Sequence, residues 1–490
     1  MKTNMFKTTL LIPFLAACTT QPQAEWVSTT ESSPWQVQGT VQSVTGSGSA
    51  DVIIDPTRTA QVIDGFGTCF NELAWTSLSQ LNTADRESIL SEMFTPGKGA
   101  NFTICRMPVG ANDFAVDWYS YNETEGDFEM ENFTIEHDQA TLIPFIRNAR
   151  QYNPDIRIWA SPWSPPSWMK HNKHYASRST SKMARILKER LQEGESTYMF
   201  KFVDNGLPED REGAEGTDMF IVEEPYLSSY ALYFSKFIEA YREQGIDIFG
   251  VMPQNEFNSD QIFPSCCWTA ASLAEFVGNY LGPAMEAQGV EVMFGTMERP
   301  NELLVDTILN HPTAGKYVTA LGFQWAGKDA LPGLHKRYPA MKIYQTEQEC
   351  GNGKNDWASA VHSWNLMKHY FNHGTNVYTY WNTSLLEGGI SRWGWAQNSL
   401  VTVNEEEKTY RYTPEYYVMK HSSHYVKPGA KRIQVSGTYD DVLAFVNPDK
   451  SIVIVAGNNR ETDKEVSFQV NNTIYKSLLK ANSLNTLFIR

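Results

Sequence analysis

Short apolar segments alternate with helical segments along most of this chain, and this alternation constrains the fold more than any other feature. Eight segments have the length and composition of buried strands: 63–70, 102–109, 156–163, 248–255, 291–296, 317–325, 342–347 and 376–382. Helical segments lie between most of them, such as 227–245, which ends at a glycine suited to a C-cap, and 270–289, with a break at Pro283. Eight βα units that close on themselves predict an α/β fold, a (β/α)8 TIM barrel, with its active site at the C-terminal strand ends.

The two ends of the chain depart from this pattern. After about residue 425, apolar and polar residues alternate between Gly, Asn and Asp turns, which predicts an attached antiparallel β-sandwich over 426–490. Residues 51–62 predict one or two strands that join this sandwich, so the barrel is expected to span 63–425. Residues 18–50 are rich in Ser, Thr, Gln and Gly without an apolar period, and they predict a flexible tether.

The N-terminus has the pattern of an export signal. Two lysines precede the apolar segment 8–17, and the tetrapeptide Leu-Ala-Ala-Cys that ends at Cys18 matches a bacterial lipobox. The match predicts a signal peptide over 1–17, lipid attachment to Cys18 and a membrane-anchored lipoprotein, with the outer membrane as its location. The alternative is a plain secretory signal cleaved nearby. The apolar run is too short for a transmembrane helix, so the predicted membrane contact is made by the lipid alone.

Composition narrows the possible partners. The chain has 490 residues and a net charge of −15 with no basic run, which argues against nucleic-acid binding. Aromatic residues make up 13% of the chain, enough to fill a large core and to present rings to a ligand. The 6 cysteines include no CxxC pair, so we expect no structural zinc, and the sequence predicts no metal and no cofactor. Disulfide connectivity stays open at this point.

Two glutamates end apolar segments in the second half of the chain. Glu256 closes 246-IDIFGVMPQNE-256, and Glu347 closes 341-MKIYQTE-347. In a barrel both would reach the same pocket, where glycoside hydrolysis needs two carboxyl groups: one protonates the leaving oxygen and one attacks the anomeric carbon. Asn255 offers an amide to a sugar hydroxyl. Tryptophans near other strand ends offer faces for a sugar ring to stack on, namely Trp163, Trp325 and Trp381.

Five longer segments resemble glycoside hydrolase family 30, the group that includes glucosylceramidases and microbial β-glycanases. They are 64-DGFGTCFNE-72, 104-ICRMPVGANDFAVDWYSY-121, 159-WASPWSPPSWMK-170, 253-PQNEF-257 and 344-YQTEQECG-351. The resemblance runs from about residue 60 to the C-terminus. It implies a (β/α)8 barrel with an attached β-sandwich and a mechanism that retains the anomeric configuration.

The resemblance also implies roles for charged residues. Glu256 would be the acid/base and Glu347 the nucleophile. Arg106 would lie near the nucleophile and hold it ionised, because an adjacent cation favours the carboxylate form. The alternative for Arg106 is an ion pair with a carboxylate of the core.

Other residues of the matching segments would contact the sugar. Asp113 and Trp163 would bind the ring in the −1 subsite, Asn255 its 2-hydroxyl, and Trp381 would be a stacking platform. Packing within the barrel is the alternative for Trp381.

Two positions depart from the family pattern. Phe257 replaces a proline that often follows the acid/base, and Gln324-Trp325 replaces a His-Trp pair. Neither changes the two-carboxylate chemistry, but both bear on how the leaving group is recognised. A substrate therefore cannot be copied from one family member.

The predicted substrate is an external polysaccharide. An exported lipoprotein has little use for a ceramide glycolipid, and the loop after the eighth strand offers Trp393 and Trp395 to build further subsites, unless these rings fold the loop on itself. The net negative charge of the chain favours a neutral glycan as substrate, so the sequence predicts an endo-acting β-1,6-glucanase. An exo-acting β-glucosidase or glucosylceramidase-like enzyme and a β-xylanase are the alternatives within the family. The alternative from another class is a catalytically silent, glycan-binding lipoprotein.

Overall fold

The computed structural model describes residues 24–46, 49–190 and 203–490. Cys18 and the predicted signal peptide lie outside the described residues. The first four strands are β1 (Ala24–Thr30), β2 (Gln36–Val41), β3 (Ser43–Thr45) and β4 (Val52–Val62). All four pair with strands from the C-terminal end of the chain or with one another, rather than with the barrel.

Eight parallel strands follow and close into a barrel. They are β5 (Gly65–Cys69), β6 (Ile104–Pro108), β7 (Arg157–Ser161), β8 (Ile248–Val251), β9 (Glu291–Met297), β10 (Val318–Gln324), β11 (Lys342–Glu347) and β12 (Thr375–Asn382). The strands neighbour one another in chain order, and β12 pairs with β5 to complete the circle. Each strand falls within or next to one of the eight predicted segments, and the predicted TIM barrel is confirmed.

Helices cover the outside of the barrel. Among the described residues, ten α-helices lie between its strands or next to them: α1 (Glu72–Leu78), α2 (Thr83–Phe94), α3 (Leu142–Tyr152), α4 (Thr180–Arg190), α5 (Glu224–Glu243), α6 (Ala270–Phe276), α7 (Gly282–Gln288), α8 (Glu302–Leu309), α9 (Leu331–Arg337) and α10 (Trp357–Asn372). The predicted helix 227–245 corresponds to α5, and Gly245 follows it with a φ of 73°, the left-handed conformation that glycine favours. A π-helical turn over 277–281 joins α6 to α7, next to the predicted break at Pro283.

The chain then returns to β structure. A small sheet contains β13 (Ser384–Leu386), β14 (Val401–Asn404) and β15 (Thr409–Tyr412), and α11 (Pro414–Ser423) follows it. The last strands are β16 (Lys431–Gly437), β17 (Val442–Val446), β18 (Ile452–Asn458), β19 (Lys464–Val470), β20 (Thr473–Leu479) and β21 (Ser483–Ile489). Together with β1–β4 they form a ten-stranded sheet, almost all antiparallel, which is the predicted sandwich domain.

The predicted flexible tether over 18–50 is wrong for its described part. β1 pairs with β21 from Ala24 opposite Ile489 to Thr30 opposite Ser483, so this segment is an integral strand of the sandwich. Its buried side chains include Thr29, whose hydroxyl bonds the ring of His421 at 2.8 Å, and such buried polar residues conceal the apolar period. The partner strand lies at the other end of the chain, so no local pattern reveals the pairing.

The barrel and the sandwich share a packed interface. Phe371 of α10 contacts Phe445 of β17 edge to face, with ring centroids 5.5 Å apart. His421 of α11 is buried between hydroxyl groups of β1 and β21, and this burial lowers its pKa to about 3.

In the described ranges no helix is long and apolar enough to cross a bilayer. Five cysteines in those ranges are buried free thiols: Cys69, Cys105, Cys266, Cys267 and Cys350.

Candidate active site

Both predicted glutamates lie at the C-terminal end of the barrel strands. Glu347 is the last residue of β11, and Glu256 lies in the loop that follows β8. The backbone of Glu256 has a φ of 48°, and its N–H donates to the hydroxyl of Thr296 on β9 at 2.9 Å. This bond holds an uncommon left-handed conformation, and the Glu256 side chain contacts Gln324 at the end of β10.

One amide group connects the two carboxylates. Nε2 of Gln324, at the end of β10, lies 2.8 Å from Oε1 of Glu256 and 3.3 Å from Oε2 of Glu347. Oε1 of Glu256 and Oε2 of Glu347 can therefore be no farther apart than the sum of these two distances. Such a close approach favours the carboxyl separation of about 5–5.5 Å found in retaining glycosidases over the wider spacing of inverting ones.

Arg106 holds the Glu347 side of this pair. Its guanidinium is fully buried on β6 and lies 3.2 Å from Oε2 of Glu347. The other N–H groups donate to the hydroxyl of Ser161 at 2.9 Å and to Oδ1 of Asn255 at 2.7 Å. Trp163 covers one face of the guanidinium at 4.4 Å from the ring centroid. The cation is therefore fixed in place, with Glu347 as its carboxylate partner.

The two carboxyl groups have different surroundings. Burial raises the pKa of both, and the neighbouring Glu256 carboxylate further raises that of Glu347. Glu347 accepts bonds from the Arg106 cation and from the indole N–H of Trp325 at 3.0 Å, and both lower its pKa. Glu256 accepts only neutral amide groups, from Gln324 and from Gln261 at 3.1 Å. The direct ion pair with Arg106 favours the ionised form of Glu347, and Glu256, without such a pair, is the better placed of the two to carry a proton.

A narrow pocket opens onto the pair, and we call it the carboxylate pocket. Its volume is about 50 Å³. The residues that line it are Asp113, Trp163, Glu256, Gln261, Phe263, Glu298, Trp325, Glu347, Trp395 and Gln397. Oδ1 of Asp113 is buried there without a hydrogen-bond partner, and burial raises the pKa of this carboxyl. An unpartnered acceptor at the wall of a pocket is suited to a sugar hydroxyl.

Asn255 and Trp381 support the pocket from behind. Oδ1 of Asn255 accepts bonds from Arg106, from Gln324 at 3.2 Å and from Thr296 at 3.0 Å, so only its NH2 group is left to donate to a ligand. Trp381 is completely buried and stacks on Trp163 at 5.0 Å. The structure thus does not bring Trp381 to the pocket wall, because Trp163 lies between it and the space a sugar would occupy.

The two tryptophans of the loop after β12 differ in position. Trp395 lines the carboxylate pocket, with its ring 6.2 Å from that of Trp325. Trp393 is buried and stacks on Trp118 at 4.9 Å, which fastens this loop to the one after β6. Of the two rings expected to build subsites, Trp395 therefore lines this pocket and Trp393 packs the loop.

Several residues at or beside the pocket were not expected from the sequence. Gln324 appeared only as a departure from a family pattern, yet its amide contacts both carboxylates. Gln261 and Glu298 carried no signal, because they lie in loops whose path is set by the fold. Phe257 is buried against Phe294 at 5.1 Å and does not line the pocket, so replacing proline there does not alter the pocket surface.

The arrangement can perform acid/base and nucleophilic chemistry on a sugar. It combines two adjacent carboxyl groups, one of them paired with a buried cation, with aromatic walls. Within the described ranges no group of three or more His, Cys, Asp or Glu residues is arranged to hold a metal ion.

Comparison with known proteins agrees with the geometry. Residues 63–209 and 213–426 match the glycosyl hydrolase family 30 TIM-barrel domain, and residues 429–487 match the β-sandwich domain of the same family. Putative glucosylceramidase 1 of Caenorhabditis elegans is 29% identical over 438 residues, which cover 84% of this chain and 76% of that protein. Endo-1,6-beta-D-glucanase neg1 of Aspergillus fumigatus is 26% identical over 439 residues, covering 83% and 80%.

A solved structure shows the same architecture. The endo-beta1,6-glucanase BT3312 superposes with a TM-score of 0.77 at 23% identity, covering 95% of this chain and 99% of that one. With a family match across both the barrel and the sandwich, the chain belongs to glycosyl hydrolase family 30 and is a glycoside hydrolase.

Proposed function

We propose that this protein is an endo-acting β-1,6-glucanase that cleaves with retention of configuration. The observation that carries the mechanism is the amide of Gln324, which contacts Glu256 and Glu347 at 2.8 and 3.3 Å. A shared amide between the two carboxylates supports the short spacing of a retaining enzyme over the wider spacing that leaves room for an attacking water in an inverting one.

The reaction proceeds in two steps. The Glu347 carboxylate attacks the anomeric carbon while Glu256 gives its proton to the glycosidic oxygen, and the leaving sugar departs as an alcohol. Glu256, now ionised, then takes a proton from water, and the resulting hydroxide attacks the glycosyl ester and frees Glu347. Arg106 and Trp325 donate to Glu347 throughout, which stabilises the carboxylate as attacking and as leaving group.

Relatives, charge and export signal all bear on the choice of the β-1,6 linkage. Curated relatives include both an endo-1,6-beta-D-glucanase and a putative glucosylceramidase, so the family alone does not choose between them. The net charge of −15 favours a neutral glycan over an acidic one. An export signal suits a polymer outside the cell better than a ceramide glycolipid.

The test is hydrolysis of a panel of linkage-defined β-glucans, xylans and glucosylceramide by the purified protein. We expect a ladder of oligosaccharides from β-1,6-glucan in the first minutes. Glucose as the sole early product would favour the exo-acting alternative. Cleavage of xylan without cleavage of β-1,6-glucan would overturn the linkage but leave the catalytic pair unaffected.

We also propose that Cys18 is lipidated and holds the enzyme at a bacterial membrane, the outer membrane in our interpretation. The support is the lipobox sequence that ends at Cys18. Because several acyl chains anchor a protein firmly, Cys18→Ala is expected to release soluble, active enzyme from the membrane fraction. Unchanged fractionation of the variant would contradict the proposal.

A further inference from the structure

A wide, open cleft lies next to the carboxylate pocket. Its volume is about 610 Å³, compared with about 50 Å³ for the pocket. Arg178, Lys182, Glu215, Asp260 and Arg299 line it together with the backbone of residues 213–214. We call it the charged cleft. Nothing in the chemistry described so far uses these side chains.

The charged cleft shares its wall with the acid/base side of the pocket. Asp260 faces the cleft while its neighbour Gln261 faces the pocket and donates to Oε2 of Glu256 at 3.1 Å. Likewise, Arg299 lines the cleft while its neighbour Glu298 lines the pocket. Since Glu256 protonates the leaving oxygen, a departing sugar chain extends from Glu256 toward this side.

We propose that the charged cleft is the leaving-group subsite, and that it binds a neutral sugar chain by hydrogen bonds from its charged side chains rather than by ring stacking. The inference rests on the proposed glycosidase mechanism, because it takes the side that Glu256 faces as the side of the leaving group. The mechanism alone does not determine whether the leaving sugar is bound by hydrogen bonds or by ring stacking, and the inference assigns hydrogen bonds.

The charges of the cleft indicate a neutral ligand. Each cation already has a carboxylate partner: Arg178 with Asp260 at 2.5 Å, Lys182 with Glu212 at 2.5 Å, and Arg299 with Glu215 at 2.9 Å. Glu298 adds a further carboxylate beside Arg299. An anionic sugar would therefore meet no uncompensated cation. A neutral sugar hydroxyl, which donates and accepts, can join such pairs without separating them.

The lining of the cleft also excludes stacking as the main contact. None of the described residues that form it is aromatic, in contrast to the three tryptophans that line the carboxylate pocket. Its donors are partly accessible, with 19% of the Arg178 side chain and 40% of the Arg299 side chain exposed. These exposed N–H groups and the facing carboxylate oxygens are the groups available to a ligand.

Arg178 is held rigidly with respect to the acid/base. Its backbone N–H donates to the carbonyl of Gln261 at 2.9 Å, and its guanidinium makes two bonds to Asp260, with the second from Nε at 2.9 Å. A ligand bound to Arg178 is therefore positioned through Gln261 relative to Glu256. A second hollow of about 310 Å³ shares Glu215 and Arg299 with the cleft, which gives room for more than one sugar unit.

The experiment measures transfer to added sugars. A glycosyl-enzyme formed from an aryl β-glycoside passes its sugar either to water or to an acceptor, and the acceptor has to occupy the leaving-group subsite. The donor is whichever of the aryl β-glucoside, β-xyloside and β-fucoside the wild type hydrolyses. Gentiobiose, laminaribiose, cellobiose and xylobiose are the acceptors, and the ratio of transfer to hydrolysis is measured.

We expect transfer to at least one acceptor in the wild type and a ratio about tenfold lower in Arg178→Gln, since hydrogen bonds to charged groups are strong. Glu215→Gln removes a partly exposed carboxylate of the same cleft and is expected to lower the ratio also, so the inference does not depend on the folding of one variant. Arg337→Gln is the matched control, because Arg337 pairs with Glu302 and Asp306 elsewhere on the barrel. Its ratio is expected to equal that of the wild type.

Three outcomes separate this inference from the proposed function. Transfer to gentiobiose that is equal in the wild type, Arg178→Gln and Glu215→Gln overturns the inference and leaves the β-1,6 linkage standing. Transfer to xylobiose alone, lost in either variant, supports the inference and overturns the linkage. Absence of transfer to every acceptor by a hydrolysing wild type overturns the inference directly.

Discussion

The carboxylate pocket and the charged cleft lie side by side at one end of the barrel, and they contain different kinds of side chain. The pocket is narrow, has aromatic walls and buries an Arg106 cation against Glu347. The cleft is open, has no aromatic lining among its described residues, and pairs each of its cations with a carboxylate near the surface. Burial strengthens the electrostatic interactions of the pocket, while solvent screens the more exposed pair of the cleft, Arg299 with Glu215. The two regions therefore suit different roles. The carboxyl groups of the pocket transfer protons and attack the sugar, while the charged side chains of the cleft offer hydrogen bonds to a ligand.

The largest expected effect comes from removing a pocket carboxylate. Glu347→Gln is expected to lower kcat for every substrate on the order of 10⁶-fold, as when a covalent nucleophile is lost. Glu256→Ala is expected to lower polymer turnover by about 10²–10⁴-fold but to spare the first step on activated aryl glycosides, because a good leaving group needs little protonation. Steady-state and burst kinetics measure both effects.

Azide distinguishes the two roles. The glycosyl-enzyme of Glu256→Ala lacks its base, so added azide is expected to accelerate turnover and to give a glycosyl azide of retained configuration. Rescue of the Glu347 variant alone would mean that the two roles are reversed.

The amide that links the pair is the next target. Gln324→Leu removes the donor to both carboxylates, and we expect kcat to fall by about 10²-fold, the scale of losing one donor to a transition-state charge. The pH profile is expected to change as well, because the Gln324 amide lowers the pKa of Glu256. Gln345→Leu is the control, since Gln345 is buried on the adjacent strand and accepts from the backbone of Thr379 rather than from either carboxylate. Equal pH profiles for the two variants would contradict the bridging role.

The loop after β12 offers a smaller contrast within the pocket wall. Trp395→Ala is expected to raise KM by about two- to tenfold through loss of a ring that can contact the sugar. Trp393→Ala removes a buried ring stacked on Trp118, and we expect it to lower the free energy of unfolding by about 3–5 kcal/mol. Thermal unfolding and KM measured for both variants test the assignment. A larger KM effect from Trp393 than from Trp395 would contradict it.

The smallest expected effect is a shift in the pKa of Glu256 in the pocket when a cation of the cleft is removed. The Arg299 cation lowers the pKa of Glu256. Activity requires protonated Glu256 and is lost as the pH rises through its pKa. Arg299→Gln removes the cation and raises that pKa, so the alkaline limb of kcat/KM is expected to move to higher pH. Arg337→Gln is expected to leave the limb in place, and a shift of the limb to lower pH in Arg299→Gln would contradict the argument.

Local sequence patterns predict the barrel strands of this fold but not the first strand of the sandwich. The barrel strands are short, apolar and buried, so each is visible in its own segment, and the ends of β8 and β11 indicate Glu256 and Glu347. β1 is not visible, because its buried Thr29 hydroxyl bonds His421 of α11 and its backbone pairs with β21 at the other end of the chain.

The contents of the site are less predictable than the fold. Gln324 acquires its role only when β8, β10 and β11 meet around the barrel axis. Trp393 and Trp395 are equivalent in the sequence, and only the path of their loop decides which ring faces the pocket. Arg178 and Asp260 form the cleft wall through a contact that spans two separate loops.

The most direct test of the account is the mass of a trapped intermediate. A 2-deoxy-2-fluoro aryl β-glycoside with a good leaving group slows the second step, so that the glycosyl-enzyme accumulates. We expect one sugar on the peptide that contains Glu347, and transfer of that sugar to the acceptor that the wild type prefers. A label on Glu256, or no label together with a product of inverted configuration, would contradict it.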